Sequence, residues 1–139
     1  MPTKPIDAMT RALKLLAGRE KSRAQLEAAL VAKGHTAEEI AGAVKRCQEL
    51  GYLDDDRAGK DLAAKLLAQG RSQIDVERRL EAKGFDPAAA NALKPDDRAA
   101  AKQLLKDRGL TGVKAARLLL SRGFDQELVE SLVELPDVD

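Results

Sequence analysis

With 44% hydrophobic residues but only 2% aromatics, a chain of 139 residues must close its core through many small aliphatic contacts. Its Lys and Arg number 24 against 23 Asp and Glu, a net charge of +1, which does not point to a strongly basic polyanion-binding protein. The single cysteine, Cys47, excludes an internal disulfide and a cysteine-based metal site. No stretch approaches the roughly twenty apolar residues of a membrane span, so no membrane association is expected. No signal-like apolar run follows Met1-Pro2-Thr3-Lys4-Pro5, and the expected compartment is the cytoplasm.

Ala, Leu, Lys, Arg and Glu lose little rotamer freedom in a helix, and the predicted elements are all helical. The first amphipathic run begins near Met9, carries Leu16 and breaks at Gly18-Arg19-Glu20. Ser22 is placed to cap a second helix, with Gln25 completing a capping box and Leu26 and Leu30 forming an i, i+4 apolar pair. Lys33 and Gly34 end that helix, Thr36 caps a third through Ile40 and Ala43, and Gly51 stops it after Leu50. The pattern then recurs. A run from near Asp56 with Leu66 breaks at Gly70; Ser72 caps a helix with Val76 and Leu80; Lys83-Gly84 ends it; Asp86 caps the next, with Pro87 in its first turn, Ala90 and Leu93 on one face and Pro95 behind it. The third copy runs from near Asp97 through Leu105 to Gly109, then Thr111 as cap, Ala115 and Leu119, the stop at Arg122-Gly123, the cap Asp125, Val129 and Leu132, and Pro136.

Gly34, Gly84 and Gly123 are therefore equivalent anchors: each has Leu four positions before it, a basic residue one before, and Thr or Asp two after. The basic residue meets the negative end of a helix dipole, and the glycine takes the left-handed position that closes the helix. The expected fold is all-α: three tandem three-helix repeats over 9–53, 54–95 and 96–135, stacked into a short curved array, because one such unit buries little core alone.

Ser22-Arg23-Ala24-Gln25-Leu26, Leu30 through Gly34, and above all Gly51-Tyr52-Leu53-Asp54-Asp55-Asp56-Arg57 resemble bacterial RecX proteins, and the similarity extends through the other two copies. Where family members usually carry aromatics after the arginine, this chain has Ala58-Gly59-Lys60-Asp61. The resemblance implies a monomeric, all-helical modulator of the RecA recombinase. Such a protein lodges in the groove of the RecA filament, contacts the single-stranded DNA it carries, and suppresses ATPase and strand exchange in DNA repair, homologous recombination and the SOS response. It also implies that Tyr52, Asp54, Asp55 and Arg57 belong to the partner-binding surface.

The remaining polar residues point the same way. His35 fills the slot of Phe85 and Phe124 and is expected to pack as a ring across the helix turn; Cys47 is expected to pack as a small apolar residue. Asp54-Asp55-Asp56 could hold a hard cation, but one acid capping the next helix while the others favour its positive end is the commoner arrangement. No nucleophile, base, phosphate loop or metal cluster stands out, so a non-enzyme without catalytic residues, metal or cofactor is expected. A helix-turn-helix-like protein acting directly on DNA is the alternative. Against it, the third helices open with Glu38-Glu39, Pro87-Ala88-Ala89 and Gln126-Glu127, which repel phosphates or ignore them. Cations gather instead on the second helices: Arg78, Arg79 and Lys83, then Lys114, Arg117 and Arg122, with Arg71 and Arg108 at the preceding turns. Singly each is a solvated residue. Recurring on equivalent helices, they form a candidate stripe for an acidic partner or filament DNA, and Arg71, Arg78, Arg79, Lys83, Lys114, Arg117 and Arg122 complete the expected binding residues.

Overall fold

The computed structural model describes residues 6–134. The first five residues and the stop expected at Pro136 lie outside that range. Helices follow in threes: α1 (Ala8–Gly18), α2 (Arg23–Ala32) and α3 (Ala37–Glu49); α4 (Asp55–Ala68), α5 (Gln73–Ala82) and α6 (Ala88–Ala92); α7 (Asp97–Arg108), α8 (Gly112–Ser121) and α9 (Gln126–Leu132). No strand occurs among the described residues. The chain forms two compact units, one of residues up to Gly59 with Ala82–Phe85, the other of Lys60–Glu81 with residues from Asp86 onward.

Local chemistry starts and stops these helices where the sequence predicts. Ser22 accepts from the Gln25 amide at 3.1 Å while the Gln25 side chain accepts from the Ser22 amide at 3.0 Å. Thr36 and Glu39 form a second capping box, which draws the Glu39 carboxyl below its ordinary value chiefly through the Thr36 bonds, with His35 a lesser cause. Gly34, Gly84 and Gly123 adopt φ of +87°, +88° and +88°. The apolar pairs Leu26/Leu30, Val76/Leu80 and Ala115/Leu119 are all buried. In the first unit Leu26 and Leu30 pack with Ala12, Ile40, Val44 and Cys47; in the second, Leu119 packs with Ala101, Phe124 and Val129. Each fully buried Leu contributes about 1.5–3 kcal/mol.

Two expectations fail for local reasons. Leu93 is 45% exposed and α6 spans only five residues, because Pro95 disfavours helical backbone at the residue before it and Lys94 turns away at φ +49°. Thr111 stands at the N-cap of α8 but its hydroxyl bonds no amide; Gly112 enters at φ +62°, and the first turn is open, with the Ala115 amide 3.5 Å from the Thr111 carbonyl.

The same joint occurs once in each unit. In the first, the Ser22 hydroxyl donates to the Lys83 carbonyl, and a Cβ on Gly84 would lie 2.7 Å from the Ala24 Cβ. In the second, the Ser72 amide donates to the Arg122 carbonyl at 2.9 Å, and a Cβ on Gly123 would lie 2.6 Å from the Asp75 Cβ. A further acid completes each joint: Asp55 accepts from the Arg23 amide at 2.8 Å, and Asp97 from the Gln73 amide at 2.9 Å. The carbonyls of Lys83 and Arg122 at two helix ends thus find donors on Ser22 and Ser72, while amides that open α2 and α5 are met by the serine hydroxyls and by Asp55 and Asp97.

Gly34 has nothing within 4 Å of an added Cβ. Gly34→Ala should therefore cost only the left-handed backbone, about 1–2 kcal/mol. Gly123→Ala should add about 1–3 kcal/mol of overpacking and melt a further several degrees lower, as a thermal scan of the two variants reads directly. Cys47 is buried, and burial raises its thiol pKa. Its alkylation by iodoacetamide at neutral pH should be slow in the folded protein and accelerate at least tenfold in denaturant; equal rates would show that the thiol is open.

Candidate partner-binding site

The stretch after α3 is built by a tight turn. Gly51 takes φ +76°, the amides of Tyr52 and Leu53 donate to the Cys47 carbonyl at 2.9 and 3.2 Å, and Leu53 is drawn into the core. Tyr52 is left 53% exposed. Asp54 caps α4 by accepting from the Arg57 amide at 3.1 Å, and Asp55 is the acid of the first joint. Both carboxylates are thus engaged with backbone: Asp54 at the start of its own helix, as the capping reading expects, and Asp55 at the start of α2, which that reading does not include. Arg57 donates from Nε and Nη2 to Glu20 Oε1 at 3.1 and 3.0 Å and from Nη1 to the Gly51 carbonyl at 3.3 Å. Tyr52 and Arg57 line one groove with Leu13, Leu16, Ala17 and Glu20, residues that the motif did not suggest. The i, i+3, i+4 spacing of Leu13, Leu16 and Ala17 on α1, with Glu20 just past its end, is visible in the sequence, but nothing local says that this stripe stays open. The small residues after Arg57 also have a packing reason: Ala58 is buried, and Gly59 lies under Phe85, whose ring would stand 3.5 Å from an added Cβ.

In the second unit the expected cations divide into two kinds. Arg71 Nη1 lies 3.1 Å and Arg79 Nε 2.9 Å from the same Asp75 Oδ2, with Arg71 and Asp75 17% and 18% exposed. Arg122 Nε reaches the Gln69 carbonyl at 3.4 Å, beside the joint at Gly123. These three are held by the fold, and Asp75 is the residue that gathers the first two. Arg78, Lys114 and Arg117 are exposed and make no ion pair or side-chain hydrogen bond among the described residues. Lys83 belongs to the first unit; its carbonyl is used in the joint and its side chain is exposed.

His35 packs as a ring: its side chain is 9% exposed, Nδ1 lies 3.6 Å from Glu39, and Nε2 has no partner. Among the described residues no group of three or more His, Cys, Asp or Glu side chains is arranged to hold a metal ion, and no helix is long and apolar enough to cross a membrane.

Three-helix units repeated in tandem, with glycine-closed turns and serine joints, define an all-helical repeat protein. Residues 8–47 match the family model described as the first three-helix domain of RecX. Regulatory protein RecX of Chlorobaculum tepidum is 34% identical over 95% of this chain and 89% of its own length; that of Chromohalobacter salexigens is 32% identical over 93% and 92%. The crystal structure of RecX from Lactobacillus salivarius shares the fold, with a TM-score of 0.68 at 16% identity over 89% of this chain and 90% of that one. The chain belongs to the RecX family of regulatory proteins.

The division of the cations is measurable without a partner. Arg79→Glu replaces an i, i+4 attraction by a repulsion and should destabilise by about 1 kcal/mol, discounted for exposure, whereas Arg78→Glu should stay within about 0.5 kcal/mol of the parent. Urea unfolding curves of the two variants at low salt check the difference.

Proposed function

We propose that this protein binds the RecA recombinase filament on single-stranded DNA and inhibits its ATPase and strand exchange, acting in the cytoplasm as a monomer that catalyses no reaction itself and uses no cofactor. The observation that carries this reading is the likeness over nearly the whole chain to relatives named regulatory protein RecX. The exposed cations supply a physical means. Arg78, Lys114, Arg117 and Lys83 offer charge to phosphates or carboxylates of the filament, while Arg71, Arg79 and Arg122 stiffen the surface that presents them. In the first unit Tyr52 and Arg57 provide the contact, and Asp54 and Asp55 set the turn that displays them.

The test is RecA ATPase on single-stranded DNA, titrated with the protein. Arg78→Glu together with Arg117→Glu leaves the Asp75 pairs intact. Each reversed contact is worth about 1–3 kcal/mol when charge-assisted and partly desolvated, so the concentration needed for inhibition should rise about tenfold to a hundredfold or more. Undiminished inhibition by the folded double variant would reduce these cations to a solvated face. The helix-turn-helix-like alternative gives a different result: naked DNA would shift with steep salt dependence in the absence of RecA.

A further inference from the structure

In the second unit one carboxylate is fixed where several arginines meet. The Asp75 amide donates to the Ser72 hydroxyl at 3.1 Å, and its Cβ and Cγ lie 2.6 and 3.3 Å from where a Cβ on Gly123 would stand, so its stem is held in the joint. Its Oδ2 takes Arg71 Nη1 at 3.1 Å and Arg79 Nε at 2.9 Å. Gln69 adds two neutral acceptors, its Oε1 for Arg71 Nε at 3.3 Å and its carbonyl for Arg122 Nε at 3.4 Å. Three guanidinium groups thus share a set of acceptors in which Asp75 is the one full negative charge.

The other acids of α5 stand elsewhere. Glu77 and Glu81 come two and six positions after Asp75, which places them on the opposite side of a helix with 3.6 residues per turn, and Glu77 is bonded by Gln73 Nε2 at 3.0 Å. Asp75 is therefore the acid of α5 on the side that carries Arg78 and Arg79, and α8 has no acid at all. A fully exposed ion pair exchanges its partner readily. Here Arg71 and Asp75 are 17% and 18% exposed, so solvent screens their contact less and the carboxylate stays in place.

We propose that Asp75 is an internal counter-anion that withholds Arg71 and Arg79 from nucleic-acid phosphates and so sets the selectivity of this surface against naked single strands. With the net charge near zero there is little field to draw a strand in, and on α5 and α8 it meets Arg78, Lys114 and Arg117 as the cations without an ion pair. To gain more contacts it must win arginines from a carboxylate that already touches them. The purpose of this selectivity rests on the filament reading: the protein stays off naked strands and engages where RecA adds contacts of its own.

The test is fluorescence anisotropy of an end-labelled oligothymidine titrated with the full chain at several salt concentrations. Asp75→Asn keeps the shape of the side chain and should bind the strand at least about fivefold more tightly at low salt, with a salt slope steeper by about 0.7 for each phosphate gained. Adding Arg71→Gln and Arg79→Gln should abolish that gain. Glu81→Gln removes the same charge from an exposed acid of α5 that forms no ion pair among the described residues, and should gain less than about twofold, which separates release of the arginines from the change in net charge. Circular dichroism melts establish that each variant is folded. If Asp75→Asn does not fold, the native chain still decides, because with Asp75 in place Arg79→Gln should weaken strand binding by a factor at least about three times smaller than Arg78→Gln does. No gain by folded Asp75→Asn, an equal gain by Glu81→Gln, a gain that survives the loss of both arginines, or equal losses from Arg78→Gln and Arg79→Gln overturns the proposal. RecA ATPase titrated in parallel with the parent tests the filament reading separately: absence of inhibition there would end that reading and leave the strand measurements standing.

Discussion

Ser22 and Ser72 are the two buried polar side chains among the described residues, and each sits where the start of one helix meets the end of another. A buried hydroxyl is costly unless its hydrogen bonds are made, and here they are: each serine accepts from the amide three residues on, Ser22 also donates to a carbonyl, and the Ser72 amide does so in its own joint. The contact brings the positive end of one helix against the negative end of another, so dipole and hydrogen bonding act together. It also demands that the closing residue lack a side chain. Gly84 and Gly123 thus meet two requirements at once, a left-handed backbone and a close approach, while Gly34 meets only the first. Two of the three anchors of the repeat frame visible in the sequence, Gly84 and Gly123, stand at this joint.

That explains what could be read in advance. Caps, glycine stops and i, i+4 apolar pairs are interactions within one turn of helix, and the sequence displays them as fixed spacings; Ser22, Thr36, Asp54 and Asp125 all cap as their positions suggest. What escaped reading depends on competition or on distance. Leu93 has the right spacing for the core, but Pro95 two residues on ends the helix first. Thr111 is a good capping residue, but the glycine after it opens the turn. Asp55 and Asp97 serve amides 32 and 24 residues away, and no local pattern marks such a reach.

The candidate surface divides along the same line. Recurring cations could be read from the sequence, and so could a carboxylate four positions from them: Asp75 engages two arginines at once, Arg71 before it and Arg79 after it. Glu20 does the corresponding service for Arg57 from a position 37 residues earlier in the chain. An arginine held by a carboxylate has lost part of its capacity to attract a new anion and has gained a fixed orientation. One that is exposed keeps the charge and remains free to move.

A chain with nearly balanced charge meets a polyanionic or acidic partner under different physics from a strongly basic one. Its net field is weak, so long-range attraction and counterion release contribute little by themselves. Any such contact would then depend on where the exposed cations without an ion pair stand. Arg78, Lys114 and Arg117 lie on α5 and α8 among arginines already tied down by Asp75 and Gln69, so the backbone beneath them is braced before any partner arrives. A braced backbone lowers the conformational entropy lost on contact. An acidic residue that lowers the net charge can thus also order the cations around it, because without Asp75 the arginines Arg71 and Arg79 would lose the carboxylate oxygen that both now share.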